Sequence, residues 1–249
     1  MPPRDWDGAS YDRISATMEA LGREVLERLE LKGDELVIDA GCGSGRITEA
    51  LIERLPRGRV IAVEQSASMI EAARGRLGER AELRVDDLLE LHLDEQADAI
   101  LSTATFHWIK DHPRLFGSLH AALRPGGRLV AQCGGTGNID ILRGKAGRVC
   151  ERDPYAAHFA DWQNPWNYAG PEETRERLLA AGFTSAECWL KAAPREPEEP
   201  REYLSTIVLG PHVQRLPEEL RDAFMDEVLQ ELGSPVVVDY IRLNIDAVA

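Results

Sequence analysis

One short stretch constrains the fold of this chain more than any other: E-L-V-I-D-A-G-C-G-S-G-R, at residues 35–46. Residues 36–38 form an apolar run of the kind that a buried parallel strand requires, because both faces of such a strand are covered. The run ends at Asp39, glycines follow at alternate positions, and apolar residues then recur at helical spacing. The order strand, glycine turn and helix predicts the first half of a nucleotide-binding βαβ unit.

The spacing of the glycines indicates which class of nucleotide ligand the turn could bind. A dinucleotide fingerprint reads G-x-G-x-x-G, and counted from Gly41 its third glycine would fall at position 46, which is an arginine. Here Gly41, Gly43 and Gly45 alternate instead, and an acid precedes them by two residues. This spacing counts against a nicotinamide-dependent oxidoreductase, which remains the less favoured interpretation.

The composition is that of an ordinary globular protein of 249 residues, with 43% hydrophobic and 29% charged residues. Such a length suits one large domain, with or without a cap. The formal net charge of −14 argues against a nucleic-acid substrate, because proteins that bind nucleic acids usually present a basic face. We therefore expect no nucleic-acid partner.

Nothing in the sequence suggests export or membrane insertion. No apolar run approaches the roughly 20 residues that a membrane helix requires, and the opening M-P-P-R-D-W-D has no apolar signal core. The four cysteines are dispersed without any C-x-x-C pair, so neither a zinc site nor a disulfide framework is indicated. We expect a cytoplasmic protein with reduced thiols and no membrane partner.

The second predicted strand, at residues 59–64, ends in an acid. Glu64 lies 19 residues beyond Gly45, where a carboxylate at a strand end can accept hydrogen bonds from ribose hydroxyls. Ser66 is then placed to cap a helix that carries Met69 on its inner face. Met69 is interpreted either as a core residue or as a contact of the ligand.

The third and fourth predicted strands also end in polar residues. Residues 82–86 end in Asp86, followed by Asp87, and the two aspartates either accept a hydrogen bond from an adenine amino group or cap the next turn. Residues 97–104 form the fourth strand, and Thr103 near its end is expected to border the ligand crevice.

The loop after the fourth strand reads F-H-W-I-K-D-H and contains His107 and Trp108. One aromatic residue can pack inward there while another lines the pocket. His107 and His112 have no metal-ligating companion at a suitable spacing, so we expect no metal site. A helix then ends at the P-G-G of residues 125–127, which turns into a fifth strand at 128–133.

Several motifs together carry a family resemblance. D-A-G-C-G-S-G, V-E-Q-S-A-S-M-I-E-A-A, V-D-D-L, the F-H-W loop and L-R-P-G-G-R-L-V follow the order and spacing of class I S-adenosylmethionine (SAM) methyltransferases. The opening W-D-G-A-S-Y and the H-W loop most resemble the branch that contains trans-aconitate and juvenile-hormone-acid methyltransferases. Those enzymes are small-molecule carboxyl O-methyltransferases. The resemblance covers about residues 6–135, and its motifs are specific for SAM but not for the methyl acceptor.

The resemblance implies SAM as cofactor and S-adenosylhomocysteine as product. It also assigns Asp39 to the glycine turn and to the amino group of the methionine part of SAM, and Glu64 to the ribose. The expected cofactor-binding residues are Asp39, Gly41, Gly43, Gly45, Glu64, Gln65, Met69, Asp86, Asp87 and Thr103.

The expected fold class is α/β: a Rossmann-like, seven-stranded and mostly parallel sheet with an antiparallel last strand and helices on both faces. Residues 241–247 alternate in polarity and supply that last strand, in agreement with the family pattern. We expect a single domain over residues 1–249, with cap or lid insertions at about 134–170 and 195–233. The first insertion is rich in aromatic residues, which predicts either a structural cap or a pocket wall.

The resemblance favours a carboxylate oxygen as the methyl acceptor. A carboxylate is ionised at neutral pH and requires no general base, whereas a phenol or amine acceptor would make His107 the candidate base. The expected substrate-binding residues are Trp6, Tyr11, His107, Trp108 and Trp166. The alternatives are an O-, N- or C-methyltransferase that uses His107, and a SAM-binding protein without activity.

An anionic acceptor requires a local cation, because burial of its charge would otherwise go unopposed. Arg143, Lys145, Arg201 and Arg242 are candidates that the sequence does not rank. We expect a monomer or a homodimer.

Overall fold

A seven-stranded sheet lies at the centre of the computed structural model, which describes residues 16–249, and side chains from residue 19 onward. The strand order is β3-β2-β1-β4-β5-β7-β6, with β7 antiparallel to both of its neighbours and the other pairs parallel. This topology confirms the predicted fold class. The strands are β1 (Leu36–Ala40), β2 (Arg59–Glu64), β3 (Glu82–Val85), β4 (Ala97–Thr103), β5 (Leu123–Gly134), β6 (Ser185–Ala192) and β7 (Ile241–Val248).

Helices cover both faces of the sheet. In chain order they are α1 (Ala16–Arg28), α2 (Arg46–Glu53), α3 (Ala67–Leu77), α4 (His112–Ala122), α5 (Asp140–Cys150), α6 (Ala156–Phe159), α7 (Pro171–Ala180), α8 (Pro200–Tyr203), α9 (Gly210–Arg215) and α10 (Glu218–Leu232). Short 3₁₀ turns lie at Leu88–Glu90 and Phe106–Trp108, and a π-helical turn at Leu204–Val208.

Strand alternation divides the core into two layers. On one face Val37 of β1 and Leu101 of β4 pack with Val25 and Leu29 of α1. On the other face Ile38 and its neighbours pack with side chains of α4 and α7, among them Leu115, Phe116 and Leu178. Because successive side chains of a strand point to opposite faces, the apolar run of β1 serves both layers.

The structure corrects the predicted start of the fifth strand. Leu123 already pairs with Ala97, and the register then shifts so that Arg128 pairs with Ala99. The P-G-G segment therefore bulges out of a longer strand, with Gly126 at a φ of +78°, and does not form a turn ahead of a shorter one.

Within the second expected insertion, residues 200–215 do not form one continuous helix. That segment is divided into α8 and the π-helical turn, and α9 begins at Gly210. The following Pro211 has no N–H to donate, so the helical ladder breaks ahead of it and restarts with proline in the first turn.

The two long excursions from the sheet pack on each other. We call residues 139–170 and 200–238 the cap. Its apolar core joins Leu142 and Val149 of α5 to Phe224 and Val228 of α10, and Leu21 of α1 belongs to the same cluster. The cap therefore rests on α1, the helix that also covers the sheet.

We expect the substitution Gly45→Ala to destabilise the fold more than a matched control. Both Gly45 and Gly137 have a φ of +84°, where an L side chain costs about 1–2 kcal/mol. A Cβ at Gly45 would lie 3.0 Å from Leu77 and 3.3 Å from Ala73, which adds about 1–3 kcal/mol of overpacking. A Cβ at Gly137 would have no atom closer than 3.7 Å. Equal losses of unfolding free energy in urea for the two variants would contradict this account.

Candidate functional site

The three glycines of the turn after β1 have different surroundings. Their φ angles are +83°, +53° and +84° for Gly41, Gly43 and Gly45. A Cβ at Gly41 would lie 2.1 Å from the Thr105 hydroxyl, and one at Gly45 would press against α3. A Cβ at Gly43 would have no atom of the described residues within 4 Å. Gly41 and Gly45 are therefore required by packing of the protein itself, whereas Gly43 borders space that the described residues leave open.

Asp39 ends β1 as a buried carboxylate with 1% of its surface exposed. Its Oδ2 accepts a hydrogen bond of 2.7 Å from the Thr48 hydroxyl, whereas its Oδ1 has no partner among the described residues. Burial raises the pKa of Asp39 to about 6; the bond from Thr48 opposes this rise, and the nearby charge of Glu64 adds to it. A buried acceptor without a partner is costly, and a ligand that donates there would relieve the cost.

Glu64 is the last residue of β2, and its carboxylate accepts hydrogen bonds from two backbone N–H groups. Its Oε2 accepts from the Gly43 N–H at 3.3 Å, and its Oε1 accepts from the Ser66 N–H at 2.9 Å. Burial raises the pKa of Glu64, and these backbone donors oppose the rise. A carboxylate offers about four lone-pair positions, so positions remain for ligand hydroxyls.

Four further residues of the predicted cofactor-binding set, Gln65, Met69, Asp86 and Asp87, lie at or just after the ends of β2 and β3. Gln65 Nε2 lies 3.4 Å from Asp87 Oδ2, and the N–H of Asp86 donates to the Glu64 carbonyl at 3.2 Å. Asp87 also caps the turn that follows it, through the N–H of Leu89 at 2.9 Å. Met69 is buried at 3% exposure and its N–H donates to the capping Ser66 hydroxyl.

The segment after β4 lies against the glycine turn. Thr103, at the end of β4, pairs with Gln132 of β5. The next residue, Ala104, has a φ of +60°, and the Thr105 hydroxyl then approaches the Gly41 carbonyl at 3.3 Å. These contacts bring the β4 end and the glycine turn to one edge of the sheet.

His107 is buried in a neutral state. Its Nδ1 accepts a hydrogen bond of 3.3 Å from the Gly134 N–H, so a neutral ring carries its proton on Nε2. Burial holds the pKa of His107 well below its usual value, and the positive charge of Arg242 lowers it further. In this tautomer the ring can donate a hydrogen bond from Nε2, but it has no free lone pair with which to accept a proton.

An aromatic wall surrounds His107. Its ring centroid lies 5.2 Å from that of Trp108 and 5.8 Å from that of Tyr168. Trp166 stacks on Tyr168 at 5.8 Å with an interplanar angle of 8°. The structure therefore brings together three of the predicted substrate-binding residues; the other two, Trp6 and Tyr11, lie outside the described residues.

The remaining aromatic residues of the first insertion have a different environment. Tyr155 packs edge-on against Phe224 at 5.3 Å and donates its hydroxyl to Glu227 at 3.0 Å. Phe159 and Trp162 contact each other and the buried His212. These residues build the cap, so one aromatic segment serves both as cap and as wall.

The sequence analysis does not identify several residues that lie near Arg242 in the structure: Gln132, Tyr168, Tyr203 and Tyr240. The register of β7 against β5 places Arg242 in this region, because it sets Asn244 beside Gln132 and Arg242 beside Gly134. The alternating pattern of the last strand was the available signal, but it carries no information on register.

Residues 16–249 contain neither a membrane-spanning helix nor a cluster of metal ligands. Each helix in that range is too short or too polar to span a bilayer. No cluster of three histidine, cysteine, aspartate or glutamate residues in the same range is arranged to hold a metal ion.

Comparisons with known proteins agree with the geometry. The family model of the methyltransferase domain matches residues 37–127. A trans-aconitate 2-methyltransferase of Methylobacterium nodulans is 30% identical over 76% of this chain and 68% of the relative. One of Variovorax paradoxus is 29% identical over 96% of this chain and 94% of the relative. The solved phosphoethanolamine N-methyltransferase 2 of Haemonchus contortus superimposes with a TM-score of 0.64 at 18% identity, over 97% of this chain and 56% of that one.

We expect Asp39→Asn to change how stability depends on pH. Between its usual pKa of 3.8 and its raised value of about 6, folded Asp39 keeps a proton that the unfolded chain has released. The free energy of unfolding therefore falls as pH rises through this window, by about 3 kcal/mol at 1.36 kcal/mol per pKa unit. The asparagine variant lacks this fall. Urea unfolding of both proteins at pH 4 and pH 7 measures it, and parallel pH dependences would contradict the assignment.

Proposed function

Because this chain belongs to the class I S-adenosylmethionine-dependent methyltransferases, we propose that it transfers the methyl group of SAM to a carboxylate oxygen of a small organic acid. The relatives named trans-aconitate 2-methyltransferases support an acid as acceptor. The net charge of −14 supports a small molecule and not a nucleic acid.

The site fits the cofactor at two points. The unpartnered Oδ1 of Asp39 is a buried acceptor suited to the ammonium group of the methionine part of SAM, and the open space beside Gly43 allows a ligand to approach the backbone. Glu64 keeps lone pairs for the ribose hydroxyls. In this proposal Gln65, Met69, Asp86 and Asp87 contact the adenosine part, and Thr103 the methionine part.

SAM supplies an electrophilic methyl group on a sulfonium. The contribution of the protein is then to hold the acceptor oxygen in line with that group and to exclude water. In well-oriented systems this positioning is worth up to about 7–11 kcal/mol. The packing of the cap on α1 supports a role for the cap as a lid over the crevice.

The main support for a carboxylate acceptor is the protonation state and hydrogen bonding of His107. Its Nδ1 is occupied by the Gly134 N–H, and its ring is buried and neutral. An acceptor phenol or ammonium must lose a proton, and His107 in this state is a donor and not a base. A carboxylate needs no base, and it can accept a hydrogen bond from Nε2–H. Methylation of an N, C or phenolic O acceptor would require the ring to give up its bond with Gly134.

We expect Gly43→Ala to weaken SAM binding at least about tenfold, or about 1.4 kcal/mol. The added methyl group projects into space that the protein leaves open and that the proposal gives to the cofactor. The matched control is Gly126→Ala, which also has a positive φ and no atom within 4 Å of the added Cβ. Calorimetric titration with SAM compares the two. Equal affinities, with equal losses of thermal stability, would remove Gly43 from the cofactor site.

The acceptor assignment predicts a flat pH profile. At saturating SAM, kcat/KM for an organic acid should stay nearly constant from about pH 7 to 9, because a carboxylate with a pKa near 4 has finished titrating. The assay incubates the enzyme with a panel of carboxylic acids, phenols and amines and identifies methyl esters by mass. A rate that rises with unit slope above pH 7, or turnover of phenols and amines only, would overturn the carboxylate proposal.

A further inference from the structure

One cation on the sheet, Arg242, has no acidic partner among the described residues. Arg242, near the start of β7, is 3% exposed. Its Nε donates to Gln132 Oε1 at 3.3 Å, and its guanidinium carbon lies 5.7 Å from the ring centroid of Tyr240. A guanidinium has five N–H donors, and among residues 16–249 this bond to Gln132 is the one hydrogen bond that it makes.

No carboxylate in the described part of the chain lies within ion-pair distance of Arg242. The contrast with Arg28 is informative, because Arg28 contacts the same strand and has Asp246 at 3.3 Å. Buried charges are ordinarily paired, since a lone charge away from water is costly. Arg242 is therefore a buried cation that no acid of the described residues neutralises.

The other cations that the sequence offered for an acidic acceptor are engaged elsewhere. Arg143 forms an ion pair with Asp140 at 2.8 Å, and Lys145 donates to the Leu232 carbonyl at 3.1 Å. Arg201 is exposed and forms an ion pair with Asp226. Of these four candidates, Arg242 is the one that combines burial with the lack of an acidic partner within the described chain.

The groups around Arg242 are neutral and largely aromatic. Its charge acts on His107, Tyr168, Tyr203 and Tyr240, and burial raises the pKa of each of these tyrosines, so all three stay un-ionised. The hydroxyls of Tyr203 and Tyr240 lie 2.9 Å apart. In such surroundings water screens a charge poorly, so Arg242 attracts an anion more strongly than a surface arginine does.

A buried chain of hydrogen bonds fixes the position of Arg242. Gln132 Nε2 donates to Asn244 Oδ1 at 2.9 Å, and Arg28 donates to the same oxygen. The amide of Gln132 is thereby oriented with its oxygen toward Arg242. Gln132 and Asn244 are 3% and 1% exposed, so solvent does not compete for these bonds. These bonds hold Arg242 in one place, as a preformed binding group requires, and no acid among residues 19–249 neutralises it.

We propose that Arg242 is the residue that binds a carboxylate of the acceptor that is not itself methylated. This inference rests on the proposed function. Arg242 lies on β7, two strands beyond Thr103 on β4, which is roughly 10 Å at the usual spacing of strands. An oxygen paired with a guanidinium would also be a poor nucleophile. The bound carboxylate is therefore a second anionic group, separated from the reacting one.

Binding of a carboxylate that does not react has a kinetic consequence. A group that binds an unreacting carboxylate makes the same contact in the ground state and in the transition state. Its loss therefore raises KM and leaves kcat nearly unchanged. A structural arginine would behave differently, because its removal would lower stability and affect all acceptors alike.

The first experiment measures binding without turnover. Citrate is titrated into the protein saturated with S-adenosylhomocysteine, for the wild type, Arg242→Gln and the control Arg201→Gln. We expect Arg242→Gln to weaken citrate binding at least about 30-fold, the usual scale for loss of one partner of a buried charge pair. Arg201→Gln should match the wild type, and S-adenosylhomocysteine should bind all three equally. Equal citrate affinity in the wild type and Arg242→Gln would overturn the inference, as would an equal loss in the control.

The second experiment measures turnover of mono-, di- and tricarboxylic acids of similar carbon skeleton. Arg242→Gln should raise KM for the polyacids by a similar factor, keep kcat within about threefold, and leave monoacids unaffected, without a fall in Tm. A fall in Tm together with an equal loss for all acids would assign Arg242 a structural role and overturn the inference. If the wild type methylates no acid but citrate still binds through Arg242, the proposed function fails while the anion site stands.

Discussion

The close burial of Asp39 and Glu64 is the constraint on which the rest of the site depends. Burial makes both carboxylates costly to ionise, and the charge of Glu64 adds to the cost at Asp39. Hydrogen bonds supply part of the compensation: one from the Thr48 hydroxyl of α2 to Asp39, and two from the backbone N–H groups of Gly43 and Ser66 to Glu64. The glycine at position 43 must place its N–H toward Glu64 while it leaves space in front of itself. In the proposed complex, a cationic ligand with hydroxyl groups, SAM, would complete this arrangement.

The reversal of β7 determines what lies opposite these acids. In a parallel sheet the carboxyl ends of all strands meet at one edge, and the start of a strand lies at the far edge. Because β7 runs antiparallel, its first residues come to the ligand edge, and Arg242 pairs there with Gly134 at the end of β5. A parallel last strand of the same sequence would place this arginine at the opposite edge, away from His107.

The local features of this site could be predicted from the sequence, and the long-range ones could not. Asp39, the glycines and Glu64 are adjacent to strand ends that the hydrophobic pattern locates, so their neighbourhood follows from a βαβ unit. The tautomer of His107 depends on the hydrogen bond from Gly134. The choice of Arg242 among the four candidate cations depends on which of them form ion pairs with an acid. Those facts follow from the register of β7 and from the packing of the cap. The same limit applies to the bulge in β5, since P-G-G is a turn signal in most contexts.

The charges along the ligand edge then form an ordered series across the sheet. Acids lie at the ends of β1 and β2, the neutral His107 follows β4, and Arg242 lies on β7 with no acidic partner in the part of the chain that the structure describes. In the proposed reaction, the positively charged methyl donor is attracted to the acidic end of this series and the carboxylate acceptor to the cationic end, so the sheet would orient them toward each other before methyl transfer. Methyl transfer removes the charge of the reacting carboxylate but not that of a second one. The product would therefore keep its contact with Arg242, and its release would depend on opening of the cap and not on loss of that charge.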